Sequence, residues 1–235
     1  MLNIKDAGTR GWKVIRRRMR YHWLTEYGQY LVRRDSVLDI HSIDLRIAID
    51  PTEIIIDCGA NVGDVTSVFA RSGATVYAFE PNPYVFKVLS RRFRAMRSVH
   101  CLNYGAMNRR CTLKLRARDP HAGKDVIDVS LASSFIPESL NSDSFSVTET
   151  EVECIDLSEF IEKLGRRVRL LKLDIEGSEI PVLNHLIDMK MMDRIDLIAV
   201  ETHEKQMPQL LGDTNSLRER IEREGLGTKC RLDWP

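Results

Sequence analysis

Two rhythms of apolar and polar positions run along the chain, and from residue 54 onward they take turns. Ile54–Asp57 is a β-branched run with no polar alternation, the pattern of a strand covered on both faces. Val62, Val65 and Phe69 then recur at helical spacing, and Thr75–Glu80 (TVYAFE) returns to strand. Val85, Val88, Leu89 and Phe93 predict a helix that opens at Pro81-Asn82-Pro83. Val99–Asn103 and Cys111–Leu115 read as strands, the second a candidate hairpin arm, whereas residues 117–147 are polar and fit a lid or partly ordered loop. Glu151–Ile155 predicts a strand, Leu157–Leu164 a helix and Arg169–Asp174 (RLLKLD) a buried strand. Ile180, Leu183, Leu186 and Ile187 mark a helix and Ile195–Glu201 (IDLIAVE) a strand; a helix near Ser216–Glu224 precedes a last short strand, Thr228–Asp233. Strands separated by helices of this length need right-handed crossovers. The predicted fold is therefore α/β, a Rossmann-like doubly wound, mostly parallel sheet.

No internal repeat or linker divides residues 50–235, so they are expected to form one domain, with residues 1–49 as an N-terminal helical extension. In that extension Trp12, Ile15, Met19, Trp23, Tyr27 and Leu31 recur at steps of three and four, with Arg16, Arg17, Arg18 and Arg20 mostly between them. This is an amphipathic basic helix. Its aromatic face can pack on the main domain or seal a homo-oligomer. Its basic face can meet anionic lipid, a polyanionic substrate or a partner chain. No nucleic-acid-binding motif accompanies it, so nucleic acid is not an expected partner.

Composition narrows the class. A length of 235 residues with 43% hydrophobic and 29% charged suits one sizeable domain with a small appendage. No apolar run approaches the roughly 20 residues a membrane-spanning helix needs, and the N-terminus lacks the apolar segment of a secretory signal. Five cysteines, an odd number with no C-x-x-C pair, point to reduced thiols and a cytoplasmic location rather than disulfides or zinc. The net charge is +1, but residues 1–34 hold nine Lys/Arg against two acids, +7, which leaves −6 for the rest.

Candidate chemistry starts where the first strand ends, at Asp57-Cys58-Gly59-Ala60-Asn61-Val62-Gly63. In doubly wound sheets ligands sit beyond the C-terminal strand ends, near the switch in strand order. Counted from Gly59, the dinucleotide fingerprint G-x-G-x-x-G demands glycine at 61 and 64, where the chain has Asn61 and Asp64. That counts against a nicotinamide oxidoreductase. D-x-G-x-x-x-G is instead the shape used for S-adenosylmethionine, and a carboxylate ending the second strand then receives the ribose hydroxyls. Glu80 occupies that place, although an acid there also occurs in NAD proteins.

Taken together, IIIDCGANVGDVT, VYAFEPNP, SLASSF, LLKLDIEGSEIPVL and VETHEK, in that order, resemble the FkbM family of S-adenosylmethionine-dependent methyltransferases, from about residue 50 to the C-terminus. The resemblance implies a class I methyltransferase fold with S-adenosylmethionine as cofactor and S-adenosylhomocysteine as product. It implies that Gly59, Ala60, Asn61 and Gly63 line the methionine side, with Asp57 orienting that loop or taking a water-mediated bond from the amino group. Glu80 would bind the ribose, Pro81 and Asn82 flank the adenine, and Asn103 and Tyr104 meet its edge. Ser133 and Ser134, matching a serine pair of the family, would line the acceptor side or close over the cofactor.

The remaining acids and one histidine belong to the same edge. Asp174, Glu176 and Glu179 cluster at the end of one strand and the start of its helix, while Glu201 and His203 end another. Methyl transfer is an in-line displacement, and an alcohol acceptor must also lose a proton. His203 or Asp174 is expected to accept it, with Glu176 and Glu201 orienting the acceptor hydroxyls and Glu179 either at the substrate or capping the helix. A carboxylate-rich rim suits a polyhydroxylated acceptor, a sugar in a glycan, glycolipid or secondary metabolite. No metal is expected; an oxygen-ligand site from Asp174, Glu176 and Glu201 is the alternative. N-methylation of an amine, and a non-catalytic cofactor-binding or scaffolding role, remain open readings.

Overall fold

The computed structural model describes residues 49–118, 133–134 and 147–232. The basic N-terminal helix, most of the polar segment 117–147 and the end of the last predicted strand lie outside the described residues.

Among the described residues, six strands form the main sheet in the order β10-β9-β8-β1-β2-β3, every neighbouring pair parallel. They are β1 (Ile54–Cys58), β2 (Thr75–Phe79), β3 (Val99–Leu102), β8 (Val168–Leu173), β9 (Ile195–Val200) and β10 (Cys230–Arg231). Strands β1 to β3 are laid down in one direction and β8 to β10 in the other, so the order reverses between β1 and β8. The sheet is covered on both faces, because successive residues of a strand point to opposite sides. Ile54, Ile56 and Cys58 join the core that holds Leu157 and Ile161 of α3 (Leu157–Leu164), Leu183 of α4 (Glu179–Asp188) and Leu217 of α5 (Leu211–Arg223). Ile55 joins the opposite core with Phe69 of α1 (Asp64–Phe69) and Leu89 and Phe93 of α2 (Pro83–Phe93). This is the doubly wound α/β arrangement expected.

The remaining strands depart from expectation. β4 (Gly105–Met107), β5 (Cys111–Arg118), β6 (Ser133–Ser134) and β7 (Val147–Asp156) build a second sheet in the order β4-β7-β5-β6. The hairpin partner of β5 is β7, antiparallel from Cys111–Cys154 to Arg118–Val147. Glu151–Ile155, read as one more strand of the wound series, therefore lies outside the main sheet. Its alternation explains why: Val152 and Cys154 are buried while Glu151 and Glu153 are exposed, as befits a sheet with one wet face. No helix among the described residues is long and apolar enough to cross a membrane.

Local chemistry sets the helix starts. Asn82 caps α2 by accepting from the amides of Tyr84 (3.0 Å) and Val85 (3.4 Å), with Pro83 in the first turn. Asp156 caps α3 in the same way, accepting from the amides of Ser158 (2.8 Å) and Glu159 (3.3 Å), and His185 Nε2 of α4 lies 3.1 Å from its Oδ2. Burial raises the Asp156 carboxyl, but the Ser158 and Glu159 donors and His185 outweigh it and hold the group below the ordinary carboxylate range. Asp156→Ala is expected to cost about 1 kcal/mol in urea unfolding. Because the folded group is depressed, that increment is present above the unfolded carboxylate pKa and is lost as pH falls through the folded one. The variant should lack this acid-side loss.

Candidate functional site at the sheet switch point

Strand register alone brings the expected residues to one rim. Cys58 pairs with Phe79 on one side and Leu173 on the other; Phe79 pairs with Leu102 and Leu173 with Val200. The next residue of each strand is Asn103, Glu80, Gly59, Asp174 or Glu201, in that spatial order. The ladders run one step further: the Glu80 amide donates to Leu102 O (3.0 Å), Asp174 to Cys58 O (3.2 Å) and Glu201 to Leu173 O (2.9 Å).

The corner after β1 is held tightly. Gly59 has φ 76°, and a Cβ there would fall 1.8 Å from the carbonyl oxygen of Asp174, so the close passage of β1 past β8 requires glycine. A Cβ on Gly63 (φ 85°) would instead meet Phe93 at 2.4 Å and Leu89 at 2.7 Å. Its missing side chain makes room for α2, a packing role beside the one the resemblance implies. Asn61 is left-handed as well, with φ 53°. Every amide of the corner finds an acceptor inside the protein. Gly59 and Ala60 donate to Phe79 O (3.1 and 2.8 Å), Asn61 to Glu80 Oε2 (2.9 Å), Val62 to Asn61 Oδ1 (2.7 Å) and Gly63 to Ala60 O (2.8 Å). The corner is therefore not an anion-binding nest.

Glu80 ties the corner to β2: its Oε1 accepts from the Asn82 amide (2.8 Å) while Oε2 takes Asn61. Burial pushes its carboxyl up to about 7 against those two amides, which pull it down. Asn103 Nδ2 donates to the carbonyls of Glu80 (2.8 Å) and Pro81 (2.9 Å), so it fixes the β2 turn, and Tyr104 is exposed on the same rim. Asn82, expected beside adenine, is buried and spends its side-chain oxygen on the α2 cap. Arg92 of α2 reinforces the corner from below, donating to Val62 O (2.8 Å) and Asp64 Oδ1 (2.9 Å).

Beneath the corner sits Lys172, only 1% exposed and one residue from the end of β8. Its Nζ lies 3.3 Å from Asp57 Oδ1 and 3.1 Å from Asp174 Oδ2, and donates to Gly59 O (2.9 Å) and Cys58 O (3.3 Å). Burial disfavours its charge, but the Asp174 and Asp57 carboxylates outweigh burial and keep the ammonium above the ordinary lysine range. Asp57 also accepts from Thr66 Oγ1 of α1 at 2.6 Å and is wholly buried. Of its two expected roles, orienting the loop is the one these contacts fit. Lys172, Thr66 and Arg92 were not anticipated. The available signal for Lys172 was a single cation inside the otherwise apolar LLKL run.

The acidic half of the rim surrounds His203, which is 4% exposed. Its Nδ1 lies 3.1 Å from Glu179 Oε1, and its Nε2 lies 3.5 Å from Glu176 Oε2 and 3.7 Å from Asp174 Oδ1. Burial lowers the imidazole pKa, but Glu179, Glu176 and Asp174 together lift it to about 9. The three acids thus favour the protonated ring over the neutral base expected of His203. Burial likewise raises the Glu176 carboxyl to about 7, helped by Asp174, Glu179 and Glu201 and opposed by His203; Glu201 is raised by burial and by Asp174. Glu179, expected either at the acceptor or capping the helix, faces inward at 1% exposure and accepts from the amides of Ile175 (2.7 Å) and Gly177 (2.9 Å). It closes the turn between β8 and α4 and orients His203. That turn places Glu176 (φ 55°) and Gly177 (φ 100°) in left-handed conformations in succession. Ser133 and Ser134 lie on β6, with backbones opposite Ala117 and Arg116.

A family model, the Methyltransferase FkbM domain, matches residues 57–225, from the Asp57 corner to the end of α5. The chain belongs to the FkbM methyltransferase family. Two curated methyltransferases are similar to it. Methyltransferase 1 of Beauveria bassiana (strain ARSEF 2860) is 27% identical over 208 residues, covering 77% of this chain and 75% of that protein. Methyltransferase sdnD of Sordaria araneosa is 24% identical over 240 residues, covering 92% and 90%. Among solved structures, the FkbM methyltransferase of Methylobacillus flagellatus KT matches with a TM-score of 0.46 and 16% identity. That match covers 88% of this chain, which spans about half (53%) of the length of the bacterial protein.

Two substitutions probe the FkbM corner. Gly59→Ala is expected to lower unfolding free energy by about 3 kcal/mol or more, since both the left-handed backbone and the Asp174 carbonyl reject a Cβ. Lys172→Met should cost about 3–5 kcal/mol by stranding Asp57, and adding Asp57→Asn should return a large part of that. A strictly additive double mutant would contradict the pairing.

Proposed function

We propose that the protein transfers a methyl group from S-adenosylmethionine to a hydroxyl oxygen of a polyhydroxylated acceptor, a sugar in a glycan, glycolipid or secondary metabolite, leaving S-adenosylhomocysteine. One observation carries the choice of donor: the corner from Gly59 to Gly63 has no amide left for a pyrophosphate, because each already binds within the protein. A dinucleotide needs such amides; a sulfonium donor with an amino-acid tail does not. In this reading the tail lies along the corner and the ribose hydroxyls donate to Glu80, whose two oxygens keep lone pairs beyond those used by Asn61 and Asn82. The adenine runs toward Pro81, Asn103 and Tyr104. The methyl group then points across the switch point at Asp174, Glu176, Glu201 and His203.

The transfer balances within that site. The acceptor oxygen forms a bond to the methyl carbon as the sulfur–carbon bond breaks, and the electron pair returns to sulfur, which becomes a neutral thioether. The hydroxyl proton passes to a carboxylate of the rim. Glu201 suits this by position, since it continues β9 beside Asp174 and its side chain is partly exposed. Positioning of this kind supplies about 7–11 kcal/mol of a barrier, and a proton acceptor adds about 10²–10⁴-fold.

Calorimetry with S-adenosylhomocysteine tests the donor site. Binding is expected in the wild type, and Glu80→Ala should weaken it about tenfold or more. Glu80 titrates near 7, pushed up by burial, and its ionised form is the better acceptor for ribose hydroxyls. Affinity should therefore rise between about pH 6 and about pH 8, a slope that Glu80→Gln removes. Absence of binding, or displacement by a nicotinamide dinucleotide, would sink the reading. Binding without methyl release to any hydroxylated acceptor would favour a non-catalytic role.

A further inference from the structure

Three side chains on the acidic half of the rim stand at a separation that hydrogen bonds do not explain. His203 Nε2 is 3.5 Å from Glu176 Oε2 and 3.7 Å from Asp174 Oδ1. One ligand atom from each of the three lies within 4.8 Å of the others. Good N–H···O bonds are about 2.7–3.2 Å long. Two ligand atoms sharing one ion at about 2.0–2.2 Å, at angles between octahedral and tetrahedral, are about 3–3.5 Å apart. The observed gaps lie close to that second spacing.

The histidine supplies an independent observation. It is 4% exposed, and its Nε2 faces the gap between the two carboxylates, within ion-pair reach of both but beyond good hydrogen-bond length. Its other nitrogen faces Glu179 Oε1 at 3.1 Å, and Glu179 is itself fixed by the amides of Ile175 and Gly177. A carboxylate behind the far nitrogen is how metal-binding histidines are oriented, with the near lone pair aimed at the ion. Asp174 divides its oxygens in a matching way, Oδ2 to Lys172 and Oδ1 to the gap. The Glu176 side chain is 42% exposed, the most accessible of the three. Glu201, the third ligand of the cation site weighed from sequence, gives way to His203.

We propose that Asp174, Glu176 and His203 hold a divalent cation through two carboxylate oxygens and one imidazole nitrogen, with the outer coordination positions left for a hydroxyl oxygen of the acceptor. A mixed oxygen and nitrogen set without thiolate favours an ion of the Mn²⁺ type over Ca²⁺ or a structural Zn²⁺. The cation site stands on its own geometry; its use in catalysis rests on the methyltransferase reading above. There the ion polarises the bound hydroxyl, whose proton goes to Glu201 as its oxygen takes the methyl group.

Manganese(II) titration of the chelator-treated full chain, followed by electron paramagnetic resonance and calorimetry, tests the site directly. One Mn²⁺ is expected per chain. Glu176→Gln and His203→Ala should each weaken it about tenfold or more, and Glu179→Gln about 10–100-fold through the histidine it orients. Asp188→Asn, on the far end of α4 beside Arg220, should leave it unchanged. Glu176→Gln changes a partly exposed side chain, so it keeps the test informative if His203→Ala fails to fold. No saturable binding at millimolar Mn²⁺, or binding insensitive to all three substitutions, would overturn the proposal. Titrating S-adenosylhomocysteine separately distinguishes the two failures: Mn²⁺ without this ligand keeps the ion and overturns the donor site, and the ligand without Mn²⁺ does the reverse.

Discussion

A single buried ammonium organises this molecule. Lys172 reaches from the end of β8 to the Asp57 carboxylate, the Asp174 carboxylate and the carbonyls of Cys58 and Gly59, all at the reversal in strand order. Two buried or half-buried acids near one another repel, and the Gly59 carbonyl, past the end of the ladder, needs a donor. One ammonium with several protons answers both needs. Because its contacts belong to both β1 and β8, it joins the two halves of the wound sheet where they could otherwise part. The Gly59 corner can then pass within touching distance of the Asp174 carbonyl without a side chain between them.

The corner and the acidic rim are thus two sides of one joint. On the corner side, every amide is turned inward and the carboxylate of Glu80 is pinned by backbone on both oxygens. On the rim side, His203 is pinned by Glu179, and Glu179 by the turn that follows β8. A ligand would meet few groups that have to reorganise, which is the condition for electrostatic and positional catalysis alike.

Much of this was legible in the sequence, for physical reasons that differ between elements. The strands of the main sheet announce themselves because burial on both faces removes polar alternation, as in IIID, RLLKL and IDLIAV. Once those strands are aligned, parallel register puts the residue after each one on a common edge, so Glu80, Asp174 and Glu201 were found by counting. What counting cannot give is the direction a side chain takes past the edge. Glu179 and Asn82 were placed at ligands, yet both turn back to satisfy local amides. Sheet membership was also hidden. The β7 alternation of buried Val152 and Cys154 with exposed Glu151 and Glu153 was present in the sequence, but β4 is only Gly105–Met107, too short to carry a period.

The register of β5 with β7 has a consequence for how such a protein changes over time. Arg118 and Val147 are opposed in the ladder, so the chain leaves the β5–β7 pair and re-enters it at a single point, and Ser133–Ser134 return to the edge of β5 on the way. The ladder below them has already paid the entropy of bringing those ends together, and doubling the length of an excursion adds only about 0.6 kcal/mol. A change in the length of chain between Arg118 and Val147 therefore weighs little on the ladder that joins those two residues, and the wound sheet does not depend on it.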